Sequence, residues 1–230
     1  MIFPFFLAVA EIFERRWIER RWAIPIAIFG MAAIFGTYSR QVWVSLPLGL
    51  FVFALVRLPK RVAVATFAAG VMLVVGLAQV PAIRDRAFTS MGVEDRLSIW
   101  KVNIDFFKHR PLTGVGWHHN LQMGVGWHKE FRPDVLHPFI GHAHNNFLEC
   151  LGALGLIGAL AYLFWTYVSI RQAFRAGAGF VAGWVVFHLN GLTQVNLWES
   201  KVMHSMMWSV SLAIALRILL RKETRGRVVR

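Results

Sequence analysis

The chain has 230 residues, of which 57% are hydrophobic and 16% charged, with a mean hydropathy of +0.51 and a formal net charge of +13. A soluble domain carries about a quarter charged residues, so this composition excludes an ordinary water-soluble enzyme. A single cysteine, Cys150, excludes a disulfide scaffold.

Residues 1–10 (MIFPFFLAVA) are apolar, and Ala8-Val9-Ala10 imitates a signal-peptidase site. No positive residue precedes that run, and its apolar length is minimal for a signal, so the tail of a membrane span or an interfacial segment is expected. EIFERRWIERRW then sets Glu11 before Arg15 and Phe13 before Trp17 at i,i+4 spacing, which predicts a helix on the membrane surface or linking into the next span. Residues 22–38, 41–56, 62–83, 150–170 and 176–198 contain no Asp, Glu, Lys or Arg. Such lengths suit helices crossing roughly 30 Å of hydrocarbon, where each backbone polar group must be paired within its segment. A sixth run, 202–216, continues to Leu219-Leu220 past Arg217, whose guanidinium can snorkel to the interface. Pro47 interrupts the second run, and Asn190, Thr193, Gln194 and Asn196 make the fifth polar at one end.

Charge orients these runs. Segments 11–21, 57–61, 171–175 and 217–230 hold fifteen Lys and Arg, whereas the short loops opposite hold only Arg40 and Lys201. The positive-inside bias therefore puts the first set in the cytoplasm. It also accounts for the net charge without nucleic acid, because the positive residues flank apolar spans instead of forming one groove. Residues 81–145 are thereby sent to the outer side, giving three regions: 1–80 with N-terminal spans, 81–145 as a long loop, and 146–230 with C-terminal spans and a basic tail.

That loop has structure of its own. Glu94-Asp95 mark a helix start, Leu97, Trp100, Ile104 and Phe107 recur with helical period as a stripe against the membrane or bundle, and Arg110-Pro111 ends the helix. The pentapeptide GVGWH occurs twice, at 114–118 and 124–128, without the strand and third glycine of a dinucleotide fingerprint. Seven of nine histidines lie between 109 and 144: His109, His118, His119, His128, His137, His142 and His144. They read as polar residues of a wet interfacial loop, as a metal pair in His142-x-His144, or as a general base, since imidazole accepts a proton near neutral pH. No Cys, HExxH or carboxylate pair accompanies them, so no metal is expected. His144 stands where the loop re-enters the membrane, and Asn145-Asn146 can cap the following helix. That helix carries Gly152, Gly155 and Gly158, a smooth strip for close packing of another helix. Glu149, in its first turns, is either a snorkelling acid or a partner for His144 or a loop arginine.

His144-Asn145, nine residues, Gly155, two residues and Gly158 resemble the H-[N/S/Q]-x9-G-x-x-G pattern of the bacterial O-antigen ligase and polymerase superfamily. Arg96-Leu97-Ser98-Ile99-Trp100 followed by Pro111-Leu112-Thr113-Gly114-Val115-Gly116 resembles its R-x-x-x-W … P-L-x-G-x-G stretch, and Thr37-Tyr38-Ser39-Arg40 with Trp43 resembles its T-x-S-R-x-x-W segment. The likeness covers residues 30–160 or so.

The resemblance implies an all-α polytopic membrane protein, five to six transmembrane helices and one long, partly helical periplasmic loop, comparable to half of a GT-C-like membrane glycosyltransferase. It implies a multi-pass protein of the bacterial inner membrane, working in lipopolysaccharide or polysaccharide biosynthesis on its periplasmic face. The reaction implied is transfer of a glycan from undecaprenyl diphosphate to a lipid A-core sugar or polysaccharide acceptor, metal-independent, inverting and without cofactor. Arg40 and Arg96 would neutralise the diphosphate and His144 act as base, with Asn145, Glu149 and Trp100 in substrate binding. Arg40 and Arg96 suit that role because guanidinium grips phosphate in a planar, bidentate manner. Family members have about ten or more spans, so this chain resembles their C-terminal half: a shortened frame, a minimal relative, or a partner for a separately encoded N-terminal half. A polysaccharide polymerase, a bicarbonate-type transporter with Asn190, Thr193, Gln194 and Asn196 lining a pathway, and a noncatalytic membrane fragment are the alternatives.

Overall fold

The computed structural model describes residues 2–15, 18–37, 39–81, 93–119, 122, 141–197, 204–215 and 218. Among them the regular elements are all helices: α1 (Ile2–Glu14), α2 (Arg20–Gly36), α3 (Arg40–Arg57), α4 (Lys60–Ala78), α5 (Val93–His109), α6 (Asn146–Ala176), α7 (Ala178–Gly191) and α8 (204–215). The expected all-α class is met. The chain divides into two compact units, one of Met1–Phe88, Val168–Leu189 and Ser200–Arg230, the other of Thr89–Tyr167 and Asn190–Glu199.

The first unit is built on α1. Its apolar run forms a helix whose Phe3, Phe5, Phe6, Ala8 and Ala10 are buried. Phe5, Phe6 and Ala10 join Ile34 of α2, Leu46 and Phe53 of α3, and Ala178, Ala182 and Val186 of α7 in one core. Residues 1–10 therefore pack inside the helical unit. Gly49 admits Phe6 and Val186 to the α3 backbone at a distance where a Cβ would collide, and so acts as the small residue that lets membrane helices approach. The predicted helix through 11–21 is interrupted. Arg15 takes a positive φ of 51°, the buried carboxylate of Glu11 accepts the Ile18 amide at 3.2 Å, and the described residues 15, 18 and 19 are not helical where i,i+4 spacing predicted helix. Trp17 lies outside the described residues. Arg57 Nε sits 3.6 Å from Glu14, so segments 11–21 and 57–61 meet at one end of this unit, as the charge bias requires. A cavity of about 330 Å³ between α1, α7 and α8 is lined by Leu7, Phe180, Trp208 and Leu212 with Glu11 and Glu14. Its described lining residues include no Lys or Arg.

Among the described residues one helix, Asn146–Ala176, is long and apolar enough to cross a membrane, and Gln41–Arg57 and Ala178–Gly191 are shorter apolar helices. Ile24, Ile26, Ile28 and Phe29 on α2 and Val64, Val71, Met72, Leu73 and Val75 on α4 are exposed, an apolar surface far beyond what water tolerates. The run 176–198, expected as one span, is divided: α7 stops at Gly191, and residues 192–197 form turns. Asn190-Gly191 is a helix-ending pair, and the polar residues beyond it are used in the second unit.

In the second unit α5 ends at His109, before Pro111 as predicted. The face it buries within the unit is a different one from the apolar stripe. Ile99, Val102, Asn103 and Phe106 are buried, whereas Leu97 and Ile104 are exposed. The register is set by Asn103, which lies against the bare backbone of Gly152 and donates its amide to the Ile99 carbonyl at 2.9 Å.

Candidate functional site

The helix that follows His144 is broken, and the break organises the site. Gly155 has φ 66° and ψ −161°, outside helical space. Leu156 and Ile157 thereby lose the carbonyls of Gly152 and Ala153 as i−4 partners, leaving two donors and two acceptors in an apolar segment. All four are satisfied by the loop after α5. Leu156 N–H donates to Pro111 O at 2.7 Å and Ile157 N–H to Leu112 O at 3.4 Å, while Gly152 O accepts from Val115 N–H at 3.1 Å and Ala153 O from Gly116 N–H at 2.8 Å. Unpaired backbone groups in hydrocarbon cost several kcal/mol each, so PLTGVG is the complement of the break. Two glycines make the contact possible. A Cβ on Gly155 would strike the Leu112 carbonyl, and one on Gly114 (φ 63°) the Ala153 carbonyl. The expected strip of Gly152, Gly155 and Gly158 therefore receives another helix at Gly152, where Asn103 of α5 lies, and a loop at Gly155.

The two limbs, 146–154 and 156–176, fold back on each other. Residues 146 and 162 of a straight helix would stand roughly 24 Å apart, yet the Tyr162 hydroxyl meets the Asn146 side chain. The second limb alone is about 31 Å long, the thickness of a bilayer core.

Asn145 caps the first limb as its sequence suggested. Its Oδ1 accepts the Leu148 amide at 3.0 Å, and its Nδ2 donates to Leu192 O at 3.0 Å. Asn146 Oδ1 accepts the Asn196 amide at 2.8 Å, so turn 192–197 closes over the helix start. Ala143, fully buried, is held on both sides of its backbone: Trp100 Nε1 donates to its carbonyl at 2.9 Å, and its amide donates to Glu149 Oε2 at 2.6 Å. Trp100, Asn145 and Glu149, expected in substrate binding, each have an intramolecular partner that shapes the loop around His144. Glu149 is fully buried, which rules out the snorkelling reading.

Held in this way, His144 adopts a left-handed backbone with φ 48°, uncommon outside glycine and a recurrent mark of constrained functional residues. Its Nδ1 lies 2.8 Å from Gln194 Oε1. The His142 ring packs edge-on at 4.2 Å, and His142 Nδ1 accepts the His144 amide at 3.4 Å. Burial lowers the His144 pKa below its ordinary value, the Gln194 hydrogen bond opposes that shift, and the positive charge of Arg96 adds to it. Burial, with His144 beside it, lowers His142 to about 4. Both imidazoles are thus neutral at pH 7, the form that can take up a proton. Arg96, in the first turn of α5, also has its Nε buried without a hydrogen-bond partner among the described residues.

The structure therefore gathers Arg96, Trp100, His144, Asn145 and Glu149. Arg40 is the first residue of α3 in the other unit, at the opposite end of that helix from Arg57, and its side chain lies outside the described residues. His128, His137 and the second GVGWH copy also lie outside them, whereas the first copy supplies Val115 and Gly116 to the helix break. Gln194 was missed as a site residue. Its sequence signal is the polar cluster 190–196 at the end of an apolar run, of which Gln194 reaches His144 and Asn196 reaches Asn146.

A family model described as O-antigen ligase matches residues 25–163. Proteins carrying the name "Putative polysaccharide ligase" are similar in sequence: one from Rickettsia prowazekii is 24% identical over 52% of this chain and 31% of its own length, and one from Rickettsia felis is 23% identical over 83% of this chain and 50% of its own. A third, from Rickettsia bellii, is 26% identical over 49% and 29% respectively. The chain thus spans about a third to a half of the curated relatives it matches. It belongs to the O-antigen ligase family.

Proposed function

We propose that this member of the O-antigen ligase family serves in a membrane glycosyltransferase that moves a glycan from undecaprenyl diphosphate to an acceptor hydroxyl, a lipid A-core sugar or similar, at the periplasmic face of the bacterial inner membrane. The observation that carries the reading is a neutral His144 on a constrained backbone, close enough to Arg96 to feel its charge, at the mouth of a membrane helix. In the reaction His144 takes the acceptor proton, the acceptor oxygen bonds to the anomeric carbon, and the bond from that carbon to the diphosphate breaks. The diphosphate leaves with the electron pair, its charge met by arginine, the role proposed for Arg96 beside His144 and, from its T-x-S-R-x-x-W motif, for Arg40. Direct displacement inverts the anomeric centre, and guanidinium groups supply the charge stabilisation that a metal would otherwise give. A polymerase would use the same steps with a polysaccharide as acceptor. Of the residues of the transporter reading, Gln194 meets His144 and Asn196 meets Asn146 at the start of α6.

The test is to replace each arginine by lysine. A point ammonium keeps charge but loses the bidentate grip, so Arg96→Lys and Arg40→Lys should each lower glycan transfer in membranes by roughly 100-fold, the scale for losing one preorganised donor, with normal insertion. Wild-type transfer in both variants would overturn the assigned roles.

Five to six spans and the fifteen-to-two charge bias also predict labelling from outside. In a Cys150→Ser background an impermeant thiol reagent should modify a cysteine at the exposed Thr113 and spare one at Thr224. The reverse pattern would place the His144 loop on the wrong side for a periplasmic reaction.

A further inference from the structure

Neutral imidazole has one N–H and one bare nitrogen, and whichever nitrogen meets an acceptor must carry the hydrogen. At His144 that nitrogen is Nδ1, 2.8 Å from the amide oxygen of Gln194, which has no proton to give. Gln194 sits in the turn after α7, and this turn is fastened to the helix start by Asn145 on Leu192 O and by Asn146 on the Asn196 amide. Its reach to His144 is therefore built into the loop and is not a chance surface contact.

We propose that Gln194 is a positioning residue that holds His144 in the Nδ1–H tautomer and so makes Nε2, which is buried in the substrate-free structure, the nitrogen that takes the acceptor proton. The inference rests on the reading of His144 as a base. A neutral amide is suited to this place. It orients the ring as an aspartate or glutamate would, but adds no negative charge to stabilise imidazolium, so His144 stays unprotonated into mildly acidic conditions. The charged or titratable groups around it among the described residues are Arg96 from α5, His142 from the same loop, and Glu149 from α6, whose carboxylate is held at the Ala143 amide. Arg96 opposes protonation and His142 remains neutral, while Gln194 holds the ring at Nδ1.

Two near-isosteric variants test this in the intact membrane protein, with transfer measured from pH 4.5 to 8.5 beside His144→Ala. Gln194→Met removes the acceptor, and kcat should fall by about tenfold or more, the scale of misplaced general-base catalysis, with the donor KM little changed. Gln194→Glu restores an acceptor and adds a charge, so activity should return at alkaline pH while the acid limb moves up by about one unit or more. An inactive His144→Ala together with wild-type profiles for both Gln194 variants would overturn the Gln194 role and leave the base intact. Activity retained in His144→Ala would overturn the base and Gln194 with it. Loss in Gln194→Met matched by equal loss of folded protein, with an unshifted profile in Gln194→Glu, would mark a merely structural contact and also overturn the proposal.

Discussion

His144→Ala is expected to lower glycan transfer by roughly 10²- to 10⁴-fold, the range a positioned general base contributes, while the protein remains inserted and folded. The contacts that shape the loop survive that change: Trp100 and Glu149 grip Ala143, and Asn145 caps the helix. The losses include the Gln194 hydrogen bond, about 1 kcal/mol at a neutral pair, and the edge-on contact with His142. His144→Asn is the stricter version, because asparagine tolerates the positive φ at this position yet cannot accept the proton. It should be as inactive as His144→Ala and at least as stable. His142→Ala should cost far less, since that ring packs beside His144 and offers its nitrogen to a backbone amide. Membranes treated with EDTA should keep their activity. Inactivation by chelation, with recovery on adding zinc, would remove the base from the mechanism and make His142-x-His144 a metal site.

How much of this was legible in the sequence depended on the range of the interaction. The apolar runs gave helices, Arg110-Pro111 ended α5, and Asn145 capped α6, because each signal acts within a few residues. Hydrophobic period on α5 marks Leu97 and Ile104, which are exposed, and does not mark the face buried within the unit. What selected the face was Gly152, which opens the helix surface to Asn103. The break in α6 was hidden for a related reason. Hydropathy registers 146–176 as one apolar helix, and nothing local says that Gly155 leaves helical space. The backbone groups that make the break tolerable come from residues 111–116, roughly forty positions earlier. The two family-like motifs, PLTGVG and the paired glycines after His144, were both visible, but as separate patterns. Their relation is a set of hydrogen bonds, which a linear reading does not contain. The same applies to Gln194, whose partner is fifty residues away.

That relation makes the last prediction distinctive. If the glycines of α6 were only a smooth strip for helix packing, alanine at Gly152, Gly155 and Gly158 would cost similar amounts, and alanine at Gly114 would matter little. With the loop seated in the break, Gly155→Ala and Gly114→Ala should both be severe. Each imposes a left-handed backbone on a side chain, about 1–2 kcal/mol, and each drives a methyl into a carbonyl of the opposite segment. Displacing the segment then releases four backbone hydrogen bonds worth about 1 kcal/mol apiece even with water to replace them, and more where hydrocarbon cannot. A destabilisation above roughly 3 kcal/mol is expected, read as loss of thermal stability in detergent, together with loss of transfer because the loop that carries His144 starts the same limb. The double variant should be no worse than the poorer single one, since both substitutions break one joint and contacting sites are not additive. Gly76→Ala serves as the control: nothing lies within 4 Å of its added methyl, so it should be neutral or stabilise by up to about 1 kcal/mol. Additive losses at Gly114 and Gly155 would show that they act independently, and would separate PLTGVG from the helix break that it complements.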